Sequence, residues 1–194
     1  MNKVKVLISG YAKEIENGWI ASSTVTFINS NGKNIIVDPG CNRPGLLKAL
    51  TENDLKTSDI DFVFLTHNHA DHILLAGIFE NAKVVIGSEL YDNDNQIEHG
   101  DKIADLDIEI IHTPGHSPDS RSFILETTDG IYALTADLFW WMDIEEQKTD
   151  HNSLILHQDP YAKNMKVLQE SRKKILDLAD FIIPGHGNLF KVEK

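Results

Sequence analysis

The sequence predicts a layered α+β domain, and three observations carry the prediction. Short apolar runs of β character recur along the chain, punctuated by Gly, Asn and Asp. One long amphipathic segment toward the C-terminus has helical spacing. Histidines and aspartates gather where the apolar runs stop, which places polar chemistry at the ends of strands in a packed-layer architecture.

Taken in order, residues 3–9, 23–29 and 34–38 read as strands, the last two joined by the hairpin turn Ser30-Asn31-Gly32-Lys33. Residues 44–53 read as a short helix. Residues 62–66 form an apolar strand that runs straight into a histidine cluster. Later strands are expected at 83–87, 108–113, 122–127 and 131–136, with Thr128-Asp129-Gly130 as a second hairpin turn. Residues 139–160, which hold Trp140, Trp141, His151 and His157, read as an irregular loop or short helix. Residues 160–179 are the clearest helix, with Tyr161, Met165, Leu168, Ile175 and Ala179 at helical spacing. A last strand, 181–183, leads into Pro184-Gly185-His186-Gly187. No linker or short-period repeat interrupts the 194 residues, so one domain over 1–194 is the expectation.

Composition narrows the class. The chain is 41% hydrophobic and 25% charged, the balance of an ordinary globular protein. No apolar run approaches the ~18–20 residues that span a bilayer, and the N-terminal apolar stretch is too short for a secretory signal. Cys41 is the single cysteine, which excludes an intrachain disulfide and a multi-thiolate metal site and points to a reducing cytoplasm. The net charge of −12 argues against a broad nucleic-acid surface. A short phosphodiester is still admissible, because bound dications invert the local field of a carboxylate-rich site.

The strongest chemical signal is Thr66-His67-Asn68-His69-Ala70-Asp71-His72. Alternate residues of an extended segment share a face, so His67 and His69 can point the same way. If the chain then turns into a helix, Asp71 and His72 occupy its first turn and can swing toward a second position. Three weaker signals follow, each after an apolar strand: His116 in Thr113-Pro114-Gly115-His116, Asp137 at the end of 131–136, and His186 on a glycine-flanked loop. Imidazole and carboxylate donors without thiolate suit two divalent ions, zinc first, with iron or manganese accepting similar sets.

The succession H-x-H-x-D-H, T-P-G-H, a strand-end Asp and P-G-H-G resembles the metallo-β-lactamase superfamily over residues 24–192. The resemblance implies a four-layer αββα sandwich with metals at one edge of the paired sheets. By position, His67, His69 and His116 would hold the first metal, and Asp71, His72 and His186 the second. Asp137 would bridge both. Asp38, in Ile36-Val37-Asp38-Pro39-Gly40, matches an early D-x-G motif and would orient a ligand histidine. Gln158-Asp159-Pro160, Ala136-Asp137-Leu138-Phe139 and the tail from Ser171 to Gly187 are most similar to members of the metallo-β-lactamase-domain-containing protein 1 type.

The implied activity is a dinuclear hydrolase in which a hydroxide formed at the metals attacks an ester, lactone, thioester or phosphodiester, with Asp71 shuttling the proton. Departures from other branches are informative. Many zinc β-lactamases have cysteine where this chain has Asp137. Flavodiiron members have glutamate at the position of His69. Glyoxalase-II-type thioesterases need a helical extension that 194 residues would not accommodate. Two alternatives from the same superfamily are a mononuclear iron sulfur dioxygenase, which needs only the first triad, and a specialised ribonuclease or phosphodiesterase. A metal-stabilised binding module without turnover is a third, from a different class.

The other polar candidates read more plainly. His99 is expected in solvent and His112 at the sheet edge, while His151 and His157 lie in the variable stretch beside the site. Trp140 and Trp141 follow Asp137, and at least one should be core. Thr66 and Ser117 can hydrogen-bond near the ligands. Arg172-Lys173-Lys174 reads as a solvated helix face. Substrate choice should reside in loops 10–22, 87–100 and 139–160.

Overall fold

The computed structural model describes residues 1–193. In chain order the strands are β1 (Lys3–Ile8), β2 (Tyr11–Ile15), β3 (Gly18–Ser22), β4 (Val25–Ser30), β5 (Lys33–Val37), β6 (Phe62–Leu65), β7 (Lys83–Ile86), β8 (Glu89–Asp92), β9 (Asn95–Glu98), β10 (Ile108–His112), β11 (Arg121–Thr127), β12 (Gly130–Trp140), β13 (Phe181–His186) and β14 (Phe190–Lys191). The helices are α1 (Arg43–Glu52), α2 (Ala70–Ile73), α3 (His151–Leu156) and α4 (Met165–Leu178). One sheet has the order β1-β4-β5-β6-β7-β8-β9 and the other β10-β11-β12-β13-β14, while β2 and β3 pair only with each other.

Period-two alternation sorts the strand residues into layers. Ile28, Ile35, Val37 and Phe64 of the first sheet meet Ile110, Phe123, Leu125 and Leu134 of the second in a core between the sheets. The opposite face of the first sheet buries Val25, Ile36, Val63 and Leu65 under Leu46 and Leu50 of α1. The opposite face of the second buries Ile124, Ala133 and Ile182 under Leu154 of α3 and Leu168 and Ile175 of α4. The result is the expected αββα sandwich. None of its described helices is long and apolar enough to cross a membrane.

Local chemistry explains the boundaries. The β4–β5 turn uses Asn31 at φ 50° and Gly32 at φ 82°, the two successive positive values of a turn that matches strand twist. Asn42 caps α1 by accepting from Gly45 N at 3.1 Å. Helix α4 begins at Met165 rather than 160. Asn164 caps it by accepting from Val167 N at 3.2 Å, and the preceding residues are tied to Asp159, which accepts from Tyr161 N at 2.9 Å. Two hairpins occupy stretches expected to be loops. Residues Tyr11–Ser22 pair around Glu16 and Asn17, and Glu89–Glu98 pair around Asn93 and Asp94. Both are largely exposed, so neither carries the buried alternation that marks a strand in sequence.

The topology sets the site. Strands β5, β6 and β7 run parallel, as do β12 and β13, so their C-terminal ends deliver residues to one edge of the sandwich.

Candidate metal centre

Each predicted residue arrives by a local device. Residues His67 and His69 leave the end of β6. His69 then caps α2, and the N–H of His72 donates to the His69 carbonyl at 3.0 Å. This one turn of helix swings Asp71 and His72 away from the first pair. Asp137 lies within β12 just after Ala136, held at φ 47°. Asp38 follows β5 at φ 48°. A positive φ at a non-glycine residue costs about 1–3 kcal/mol, so this edge stores strain where the polar groups converge. His186 ends β13 behind Gly185, where an added Cβ would lie 1.9 Å from Asp137 Oδ1. Only glycine permits that approach.

All seven candidate ligands converge, in two groups. His67, His69, His116 and Asp137 form one, and Asp71, His72 and His186 the other; within each, the ligand atoms lie within 4.8 Å of one another. Asp137 faces both. Its Oδ2 is 3.3 Å from His116 Nε2 and 3.7 Å from His67 Nε2. Its Oδ1 is 3.2 Å from His72 Nε2 and 3.7 Å from His186 Nε2. Asp71 Oδ2 lies 3.2 Å from His186 Nε2 and 3.9 Å from His72 Nε2.

The donor set fits divalent cations on a direct test. His67 Nε2, His72 Nε2 and Asp137 Oδ1 are buried without a hydrogen-bond partner; the short His72–Asp137 approach is not aligned as a hydrogen bond. An unsatisfied buried polar group costs about 1–3 kcal/mol. Three of them aimed into the same small volume are explained by cations that they would share. Their opposite ring nitrogens are engaged. His72 Nδ1 pairs with Asp38 Oδ2 at 2.8 Å, and Asp38 also accepts from Thr66 N at 2.9 Å and Thr66 Oγ1 at 2.6 Å. Thr66 Oγ1 lies 3.1 Å from His67 Nδ1, and His186 Nδ1 lies 3.1 Å from the Tyr11 carbonyl.

Asp159 is the residue that sequence reasoning left without a role. Its Oδ2 is 2.7 Å from His116 Nδ1, and it is 5% exposed. It does for His116 what Asp38 does for His72. The signal was its place just before Pro160, which a single sequence cannot separate from an ordinary turn residue.

The electrostatics divide along the same line. Burial, then the neighbouring His72, pushes His67 well below its ordinary pKa. Burial and His116 lower His69. Burial works against the charged form of His72 too, but the Asp137 and Asp38 carboxylates together raise it well above its ordinary value. Asp137 stays well below the usual carboxylate range despite burial, because His72 and His186 face it. A metal bound by His72 would therefore compete with the proton that the Asp137 and Asp38 carboxylates favour on it. The folded-state pKa of His72 is raised, so its contribution to metal-free stability is present below the unfolded value and fades as pH rises through the folded one. Metal affinity is expected to increase with pH across that range, with net proton release on binding. Calorimetry in two buffers of different ionisation enthalpy at neutral pH checks this; identical heats in both would contradict it.

Comparison with known proteins decides the family. A profile of the metallo-β-lactamase superfamily matches residues 19–87. A Methanocaldococcus jannaschii protein named "Probable metallo-hydrolase MJ0296" is 33% identical over 149 residues, which span 77% of this chain and 68% of that protein. The chain belongs to the metallo-β-lactamase superfamily. Within the superfamily, metallo-β-lactamase domain-containing protein 1 of Xenopus laevis is 28% identical across 100% of the chain and 83% of that protein. The chain spans 63% of the rat protein of the same name. A crystal structure of a candidate metallo-β-lactamase from Thermotoga maritima superposes with a TM-score of 0.73 at 21% identity, over 98% of this chain and 99% of that one. The dizinc quorum-quenching lactonase AidC, solved with a homoserine product, gives 0.64 at 19% identity, over 90% and 76%. Fold and paired ligand groups together are those of a metallo-hydrolase of this superfamily.

A cleft of about 380 Å³ opens over the candidate metal centre. Its floor is His69, Asp71, His116, Asp137 and His186, and its walls include Trp19, Leu74, Trp140 and Tyr161. Trp19 and Trp140 each bring their rings to 6.0 Å from Tyr161. Leu74 is 66% exposed at the rim. Among the described residues, no lysine or arginine lines the cleft.

The remaining candidates divide cleanly. Trp140 walls the cleft, whereas Trp141 is buried against Phe190 and His157. His157 pairs with the Trp140 carbonyl at 2.9 Å and His151 is exposed at the start of α3, so neither lines the cleft. His112 pairs with the Pro118 carbonyl at 2.8 Å at the sheet edge. His99 is partly covered, with Nδ1 2.6 Å from the Gly100 carbonyl. Ser117 bonds Asp119 and Ser120 rather than a ligand. The basic run is corrected by the structure. Lys173 and Lys174 are exposed as expected, but Arg172 is fully buried.

Proposed function

We propose that this chain is a dizinc hydrolase of small, uncharged acyl compounds: esters, lactones or thioesters with an apolar or aromatic portion. Asp137 carries the reading, with one carboxylate oxygen turned to each ligand group. His67, His69 and His116 would hold the first ion and Asp71, His72 and His186 the second, with Asp137 available to both. Two bound dications supply a water activated near neutral pH and polarise the substrate oxygen.

The protein's own residues do the rest. Trp19, Leu74, Trp140 and Tyr161 bind the apolar part of the substrate and shed water from it. Asp71, partly exposed at the cleft floor and held in its ionised form by His186 and His72 despite partial burial, takes a proton from the attacking water and returns it to the departing alkoxide or thiolate. Asp38 and Asp159 fix the ring orientations of His72 and His116. The balance is one water consumed and an acid plus an alcohol or thiol released, or a hydroxy acid from a lactone.

The apolar walls favour acyl substrates over phosphodiesters, whose recognition usually enlists lysine or arginine. The unpaired Cys41 suits a reducing compartment such as the cytoplasm. A panel of p-nitrophenyl esters, acyl lactones and thioesters, run beside bis(p-nitrophenyl) phosphate on the metal-loaded chain, tests the reading. Turnover of the acyl set above the phosphodiester is expected. Phosphodiester turnover alone would replace the substrate class, and loss of all turnover with both metals bound would replace the hydrolase.

A further inference from the structure

Two neighbouring residues of α4 reach under the first ligand group without touching the cleft. Ser171 Oγ donates to the Pro114 carbonyl at 2.7 Å, in the turn that delivers His116. Arg172 Nε donates to the carbonyl of Leu138 at 2.8 Å, one residue beyond Asp137. Its Nη1 donates to the carbonyls of Ile155, at 3.3 Å, and His157, in the segment that ends at Asp159. The same helix meets the turn directly, since a Cβ on Gly115 would lie 2.3 Å from Leu168 Cα.

The chemistry of Arg172 is costly for a packing role. It is fully buried, Nη2 has no partner, and among the described residues no carboxylate lies within ion-pair distance of it. The Asp159 carboxylate acts on it electrostatically without forming an ion pair, so a guanidinium buried this deeply depends on the hydrogen bonds it makes, and every one of those goes to backbone flanking Asp137 or leading to Asp159. The guanidinium carbon also lies 5.7 Å from the centre of the Phe139 ring, within cation–π range. The second group has separate support, from α2 and β13, and neither Ser171 nor Arg172 bonds to them.

We infer that Ser171 and Arg172 are positioning residues that clamp His116, Asp137 and Asp159 into register, and so set the affinity of the first metal position more strongly than that of the second, which shares only Asp137 with it. The inference rests on the two-position reading above. Its test loads metal-free protein with Co²⁺, reading affinity by chelator competition and geometry by the visible spectrum. His186→Ala isolates the first position and His69→Ala the second. In the first background, Arg172→Met and Ser171→Ala are expected to weaken Co²⁺ binding about 10- to 100-fold and to alter the spectrum, with Arg172→Lys recovering part of the loss. In the second background the same changes should cost clearly less, through Asp137 alone. Ser171→Ala barely alters volume and carries the comparison if Arg172→Met does not fold. Equal losses in both backgrounds, or none in either, would overturn the clamp alone. Failure of the His186→Ala chain itself to bind Co²⁺ would overturn the two-position reading and the clamp with it.

Discussion

Asp137→Ala is expected to cut turnover by about 1000-fold or more and to reduce bound metal below two ions per chain. The carboxylate faces both ligand clusters, at 3.2 Å from His72 and 3.3 Å from His116. Removing it takes one donor from each position and leaves the charge of two dications less neutralised. Metal-derived stabilisation of the transition state amounts to several kcal/mol, and about 4 kcal/mol corresponds to three orders of magnitude in rate. Asp38→Asn is the matched control. Asp38 touches His72 only through Nδ1, so the expected loss there is the smaller, about 10- to 100-fold in metal affinity. Metal analysis and steady-state kinetics on both variants read the difference. Full metal content and full activity in Asp137→Ala would remove the shared carboxylate from the account.

Asp71→Asn is expected to lower kcat by about 100-fold or more while the first position keeps its metal. Asparagine preserves size and an oxygen donor but cannot take up a proton, and general acid–base groups contribute about 10²- to 10⁴-fold. The fall should appear mainly in kcat rather than KM, because the cleft walls that hold the substrate are untouched. A change confined to KM would make Asp71 a binding residue and leave the proton transfer to another group.

These two side chains were legible in the sequence for different reasons. Asp71 belongs to a dense local cluster that could divide over two positions if a helix began there, and α2 supplies that turn. Asp137 is a lone carboxylate, read at a strand end though it lies within β12, and it gained its meaning only from the order of the motifs. What stayed hidden depended on tertiary contact. Asp159 meets His116 across 43 residues, and nothing local to either predicts the pairing. Arg172 sits in a run of three basic residues that reads as a solvated face, yet α4 rotates it inward and leaves Lys173 and Lys174 in water. The hairpins β2–β3 and β8–β9 were missed because exposed strands lack buried alternation. The first of them carries Trp19 into the cleft lining, so the least legible stretch helps shape the cleft.

The count of metal ions is the most direct check. Chain purified without added metal, then equilibrated with Zn²⁺ and freed of excess, should retain two ions, and His186→Ala should retain one. Protein that holds no divalent ion, or a single iron with the Asp71, His72 and His186 group empty, would contradict the paired centre on which the hydrolase depends.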